Sequence, residues 1–301
     1  MFIDTHCHLD AYEEFSGESL DKLFERLRSA EKTAVPAQEQ ESPQNSAATR
    51  WSSPKDAKES LVRMPEAFVN VACNPADFEK ASKLSEKYPF VYAAYGIHPE
   101  YVLTETPDDE ARMLTFLTHP KCVACGEFGL DYHYDLEHRT EQVKLFERHL
   151  DLGIRSGKPL VLHLREADDD ALAVLRNADL RDVNVHVHCF TGSPEFAENL
   201  LKLDAHIFIG FTGIVTFKSA QNVRDAAALT PLSQILLETD SPYMAPVPHR
   251  GKTCHSGFIP YTAQMLADIK KIPVEELYRQ CRENAHSQQE KANGKISAVR
   301  T

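Results

Sequence analysis

The sequence predicts a (β/α)8 barrel. Three observations carry that expectation. Eight short β-rich runs alternate with amphipathic segments along almost all of the 301 residues. The runs are nearly continuous in apolar residues, as strands buried on both faces of a parallel sheet must be. Eight such units in about 250 residues, plus one insertion, is the count of the α/β barrel known as the TIM barrel. A doubly wound open sheet is the competing architecture. It more often lacks the eighth repeat, and no glycine-rich phosphate-binding turn follows the first run here.

The first strand is FIDTH, beginning at Phe2. SLDKLFERLRSAEK follows as the first helix, its apolar residues spaced for one buried face. Residues 34–60 then break the rhythm. They are rich in Pro, Ser and Gln and nearly free of apolar side chains, too few to offset the entropy of ordering the segment. This stretch is expected to be a disordered insertion after the first helix, with Trp51, the sole tryptophan, as a loose surface anchor. The second and third strands are AFVNVAC from Ala67 and VYAAYGIH from Val91, separated by the helix PADFEKASKLSEKY. CVACGEFGL from Cys122, PLVLHLR from Pro159, VNVHVHCF from Val183, HIFIGFTG from His206 and QILLETD from Gln234 complete the eight. RTEQVKLFERHLDLGIRSG and SPEFAENLLKLD are helices among them, and several helical segments open with Ser, Asp or Pro at a capping position. Residues 1–285 form one domain on this reading, and 286–301 a fraying helix end and tail.

Composition narrows the class. Hydrophobic residues make up 42% of the chain, enough for a core. No apolar run approaches the roughly 20 residues needed to span a bilayer, and no basic segment precedes the first strand, so neither a membrane span nor a secretory signal is expected. Seven cysteines without framework spacing read as free thiols in a reducing compartment, with the cytoplasm as expected location. A net charge of −12 argues against a protein that coats nucleic acid through its overall field.

The ionisable residues fall in a pattern. His6 and His8 end the first strand, two apart and so on one face. Glu127 ends the fourth, His163 the fifth, His188 the sixth and Asp240 the eighth. In (β/α)8 enzymes the chemistry sits where those strand ends converge. Burying four imidazoles and two carboxylates together without cations carries a severe desolvation cost. Six N/O ligands exceed the needs of one four-coordinate ion. They fit two divalent ions about 3.5–4 Å apart sharing a carboxylate, with Zn2+, Mg2+, Mn2+ or a similar ion as occupant. His186 shares a face with His188 one layer deeper and is the weaker ligand candidate. Cys7 and Cys189 should face away from their neighbouring histidines. Asp4 and Asp131 are expected to orient ligating imidazoles. His98, Tyr132, Arg165 and Arg250, with Lys252 beside the last, are the candidate substrate contacts, through phosphate or base.

The segments DTHCHLD, GIHPE, GEFGLDYHYD, LHLREA, HCFTG and FKSAQNVRDAAALTPLSQILLETDSPYMAPVPHRGK closely resemble those of the TatD family of metal-dependent deoxyribonucleases, within the amidohydrolase-like barrel group. The resemblance spans nearly the whole chain apart from the insertion and the tail. It implies that His6, His8 and Asp240 hold one metal, that His163 and His188 hold the other, and that Glu127 bridges them. Two departures stand out. Cys254 occupies a position where the family usually has Asn, and ENAHSQQ replaces a closing segment that ends in an aromatic residue.

Together these readings give metal-dependent hydrolysis of phosphodiester bonds in DNA through a metal-activated water, with Asp240 and Glu127 catalytic. An acidic protein making few phosphate contacts suits strand ends or single strands and hence exonuclease action; the resemblance implies the 3′–5′ direction, and RNA is a further partner class. No obligatory protein partner is evident. Two rivals stand beside it: hydrolysis of a small amide or aminoacyl ester at the same metals, and a protein-binding module that uses the insertion as bait.

Overall fold

The computed structural model describes residues 1–33 and 61–298. The insertion at 34–60, with Trp51, lies outside the described residues, as does the end of the expected tail, 299–301. Eight strands form one all-parallel sheet in sequential order. They are β1 (Ile3–Cys7), β2 (Ala67–Ala72), β3 (Val91–Tyr95), β4 (Cys122–Asp131), β5 (Leu160–Arg165), β6 (Asn184–Val187), β7 (His206–Phe211) and β8 (Ile235–Leu237). The first and last strands meet through Cys7 and Ser241, through the Thr5 hydroxyl donating to the Leu237 carbonyl, and through the Asp240 N–H donating to the His6 carbonyl. The expected barrel is therefore the observed one. Its strands are buried on both faces, as the apolar runs required.

Ten helices surround the described barrel. The first strand is followed by two of them, α1 (Leu9–Ser16) and α2 (Leu20–Thr33), where the sequence reading had one. Gly17 separates them. It takes the left-handed conformation, φ 71°, and caps α1 by donating its N–H to the Glu13 carbonyl. The insertion thus follows the second helix. The others are α3 (Phe78–Lys87), α4 (Pro107–Leu117), α5 (Arg139–Ser156), α6 (Asp168–Asn177), α7 (Pro194–Leu201), α8 (Gln221–Leu229), α9 (Ile259–Lys270) and α10 (Val274–Ala298). The expected tail from residue 286 continues α10 to Ala298. Asn284 fixes that helix to the barrel by donating to the carbonyls of Leu232 and Ile235 at the entrance to β8.

The main core lies between strands and helices, with Phe78, Tyr95, Phe128, Phe146 and Phe211 fully buried in it. Inside the barrel a smaller cluster of Val69, Val71, Ala94, Ala124 and Val161 fills part of the half away from the ligand-bearing ends. All seven cysteines are free thiols. No described helix is long and apolar enough to cross a membrane.

Glu127 departs from its expected place at a strand end. β4 runs four residues further, to Asp131. The register against β5 shifts between Gly126 and Phe128, and this irregularity turns Glu127 inward from mid-strand. Gly126 has φ 143°, and a Cβ there would lie 2.4 Å from the Val161 carbonyl oxygen. Only glycine permits that approach.

Candidate metal centre

β1 supplies two imidazoles on one face. His8 donates through Nδ1 to the Val71 carbonyl at 2.8 Å. That bond turns its Nε2 inward, 3.3 Å from Asp240 Oδ1 and 3.3 Å from His6 Nε2. His6 Nε2 lies 3.3 Å from Glu127 Oε2 and 3.8 Å from Asp240 Oδ1. Asp240 follows β8 at φ 58°, and its backbone bond to His6 sets the carboxylate beside the histidine pair.

Glu127 lies at the middle. Its Oε1 is 2.7 Å from His163 Nδ1, 2.8 Å from His188 Nε2 and 3.8 Å from His98 Nε2. Its Oε2 is also 3.9 Å from His8 Nε2. His163 gives its other nitrogen to Asp131, Nε2 to Oδ2 at 2.9 Å, so Nδ1 turns to the centre. Asp131 therefore orients an imidazole, as expected of it. Asp4 does not. It accepts from the Thr239 hydroxyl at 2.6 Å and from the N–H groups of Thr239 and His6, tying β1 to the end of β8 through the backbone. Burial pushes its carboxyl up to about 7.

His98 was expected at substrate, and the structure places it at the edge of this group. Its Nδ1 accepts the Glu100 N–H at 3.2 Å, so the neutral ring carries its proton on Nε2. Burial lowers its pKa to about 3 and that of His6 to about 4, keeping both rings neutral. For His8 and His163 burial acts in the same direction, yet their carboxylate partners outweigh it and raise them to about 10 and about 9. Burial alone would raise Glu127 and Asp240. The surrounding imidazoles hold Glu127 well below the usual carboxylate range and lower Asp240 as well.

Three groups at the mouth each place their ligand atoms within 4.8 Å of one another: His6, His8 and Asp240; His98, Glu127 and His163; and His6, His188 and Glu238, the first and third sharing His6. The donors are nitrogen and carboxylate oxygen. The far nitrogens of His8 and His163 are committed to hydrogen bonds, leaving the near ones aimed inward. In the metal-free protein those near nitrogens hold protons against Asp240 and Glu127, which is the place a divalent cation would take. The residues fit such a cation.

The remaining candidates sit around the rim or away from it. Tyr132 commits its hydroxyl to Asp170 at 2.5 Å and packs its ring on the core, which removes it as a free stacking surface. Arg165 stacks its guanidinium 4.9 Å from the centroid of the exposed Tyr134 ring and lies near enough to lower the Asp131 carboxyl. Arg250 stacks 4.4 Å from the Phe217 centroid, and Lys252 is exposed beside it. Cys254 is buried. Its carbonyl accepts from the Ser241 hydroxyl and its N–H donates to Pro242, so it braces the loop behind Asp240.

Sequence reasoning missed two features. Glu238, fully buried, pairs with His186 Nε2 at 2.7 Å. Its position two residues before Asp240, on the same face, was the available signal. Phe15 and Tyr243, both exposed, meet edge to face at 5.4 Å, and the Tyr243 ring lies 6.2 Å from that of His8. No local pattern joins residues that far apart in the chain.

A family model described as TatD related DNase matches residues 3–288. An uncharacterized metal-dependent hydrolase of Bacillus subtilis, YabD, is 31% identical over 95% of this chain and 97% of its own length. The human protein named 3′–5′ RNA nuclease TATDN2 is 34% identical over 94% of this chain, which spans only 34% of that longer relative. Among solved structures, the Escherichia coli TatD homolog YjjV superposes with a TM-score of 0.75 at 26% identity, covering 96% of this chain and 97% of that one.

Proposed function

The chain belongs to the TatD related DNase family of metal-dependent hydrolases, and from that premise we propose that it is a nuclease cutting phosphodiester bonds at the barrel mouth, with DNA strand ends as substrate. The observation that carries this reading is Glu127, whose two oxygens lie within 2.7–3.9 Å of nitrogens from five imidazoles. We assign His6, His8 and Asp240 to one divalent ion, His163 and His188 to a second, and Glu127 to both. Ions bound there would supply Lewis acidity toward a phosphate oxygen and lower the pKa of an attacking water.

The chain's own groups do the rest. Asp240, held ionised by the imidazoles around it, accepts the proton of that water. His98 presents Nε2–H as a neutral donor to a phosphoryl oxygen. Asp131 keeps His163 turned inward. Arg165 and Arg250 lie on aromatic rings with their guanidinium edges available to flanking phosphates. The exposed Phe15 and Tyr243 beside His8 offer a surface on which an unpaired base can stack, worth about 1–3 kcal/mol per base. That aromatic edge supports a nucleic-acid substrate. The net charge of −12 is what favours the second reading, a small amide or aminoacyl ester.

The test is a substrate panel. DNA and RNA oligonucleotides of one sequence, labelled at the 5′ end, are incubated with Mn2+-, Mg2+- or Zn2+-supplied protein beside amide and aminoacyl ester substrates. The expected result is stepwise shortening of DNA from its 3′ end, stopped by chelation and reduced at least about 10³-fold in Asp240→Asn. Preferential digestion of RNA moves the substrate assignment. Cleavage that survives chelation, or that Asp240→Asn performs normally, removes the mechanism.

A further inference from the structure

Glu238 occupies a seat shaped by an absent side chain. A Cβ on Gly210 would lie 2.5 Å from the carboxylate carbon and from both of its oxygens. Its Oε1 accepts the Cys189 N–H, and its Oε2 faces His186. The rings of His6 and His188 stack beside it, centroids 3.8 Å apart and 14° from parallel. Both rings turn Nε2 toward Glu127. Both have a buried Nδ1 with no hydrogen-bond partner. Glu238 Oε1 lies 4.0 Å from His188 Nδ1, and one ring nitrogen each of His6 and His188 lies within 4.8 Å of a Glu238 oxygen.

An imidazole that gives its Nε2 lone pair to a cation carries its proton on Nδ1. A buried N–H left without an acceptor costs about 1–3 kcal/mol. We infer that Glu238 is a positioning residue of the metal centre: it accepts the Nδ1–H of His188, with His6 stacked behind, and so holds both rings with Nε2 free for the cation. A bond of about 2.9 Å requires the His188 ring and the carboxylate to close by roughly 1 Å on metal binding. The Cys189 N–H holds the carboxylate from another side. The inference rests on the metal assignment made above. The competing account gives Glu238 a structural role alone, as the neighbour of His186 where the β6 side chain meets the end of β8.

Metal-free wild-type, Glu238→Gln and His186→Gln proteins are titrated with Mn2+ by calorimetry. Zn2+-loaded samples with 15N-labelled histidine report the ring tautomers. Glu238→Gln is expected to weaken Mn2+ binding about 10–100-fold and to disturb the Nδ1–H signals of His188 and His6. His186→Gln, which leaves the carboxylate, should bind within about threefold of wild type. Should Glu238→Gln fail to fold, Glu238→Asp keeps the charge while withdrawing the oxygens by one methylene, and the same weakening is expected. Undiminished affinity with unchanged histidine signals in the folded variant overturns the inference. A wild-type protein that binds no Mn2+ or Zn2+ overturns the metal assignment instead.

Discussion

At the barrel mouth Glu127 faces five imidazoles, and no lysine or arginine pairs with it or with Asp240 among the described residues. On the outer wall a second group has a similar formula: Glu105, Glu110 and the fully buried His149 place ligand atoms within 4.8 Å of one another. There Arg148 binds both carboxylates, Nη2 to Glu105 at 2.7 Å and Nε to Glu110. Ligand-type residues at short range are common to the two. The balance of charge separates them. The wall already holds its cation, in the form of a guanidinium that cannot lose its proton. At the mouth the carboxylates face imidazoles alone, and a divalent ion can take the place of any proton those rings carry.

The largest effect expected from this contrast comes from truncating the central carboxylate of each group. Glu127→Ala should lower hydrolysis at least about 10³-fold and abolish high-affinity Mn2+ binding. Glu110→Ala should leave both within about threefold, since outer-wall charges act on the mouth only through solvent. Parallel calorimetry and rate measurements on the two variants decide it. Equal losses of metal from both would erase the distinction.

A smaller effect isolates the arginine. Arg148→Met keeps most of the stem but strands Glu105, whose side chain is only 7% exposed. Denaturant unfolding should show a loss of about 2 kcal/mol, between the value of a surface ion pair and that of a buried one, because the guanidinium itself is half exposed. Activity should not change. A weak extra Mn2+ equivalent in this variant, absent from wild type, would sharpen the comparison by showing that the guanidinium is what keeps a cation from the wall.

The barrel was legible because strands buried on both faces read as apolar runs, and the ligand candidates other than Glu127 stood out because each lies at or near the end of one. What the reading lost follows from departures from that regularity. Period-2 reasoning assumes an unbroken ladder, so the register shift after Gly126, and with it the mid-strand position of Glu127, was invisible. The expected first helix is α2, and the short α1 before Gly17, only eight residues long, was passed over. Glu238 and Asp240 share a face at the end of one run, and only depth in the barrel distinguishes the carboxylate that meets His186 from the one that meets His8. Asp4 follows the same spacing as His6 and His8, yet its partner Thr239 lies 235 residues away and no local pattern announces it.

The smallest effect concerns the wall's own histidine. His149 is completely buried with neither nitrogen hydrogen-bonded, and burial lowers its pKa from the ordinary 6.5 to about 4, with Arg148 reinforcing the shift and Glu110 opposing it. A folded-state pKa below the unfolded value means that the unfolded chain binds the proton more tightly. The contribution to stability is therefore complete above pH 6.5 and is lost as the pH falls from there toward 4. Comparison with His149→Leu in the presence of chelator cancels the titration of the mouth, which both proteins share. Wild type should lose about 1 kcal/mol more than the variant between pH 7 and pH 5.5. A parallel pair of stability curves would mean that His149 takes up its proton in the folded state, with Glu110 as its counter-charge. The wall would then hold an ionised imidazole, as the metal-free mouth does at His8 and His163, and the contrast would rest on Arg148 alone.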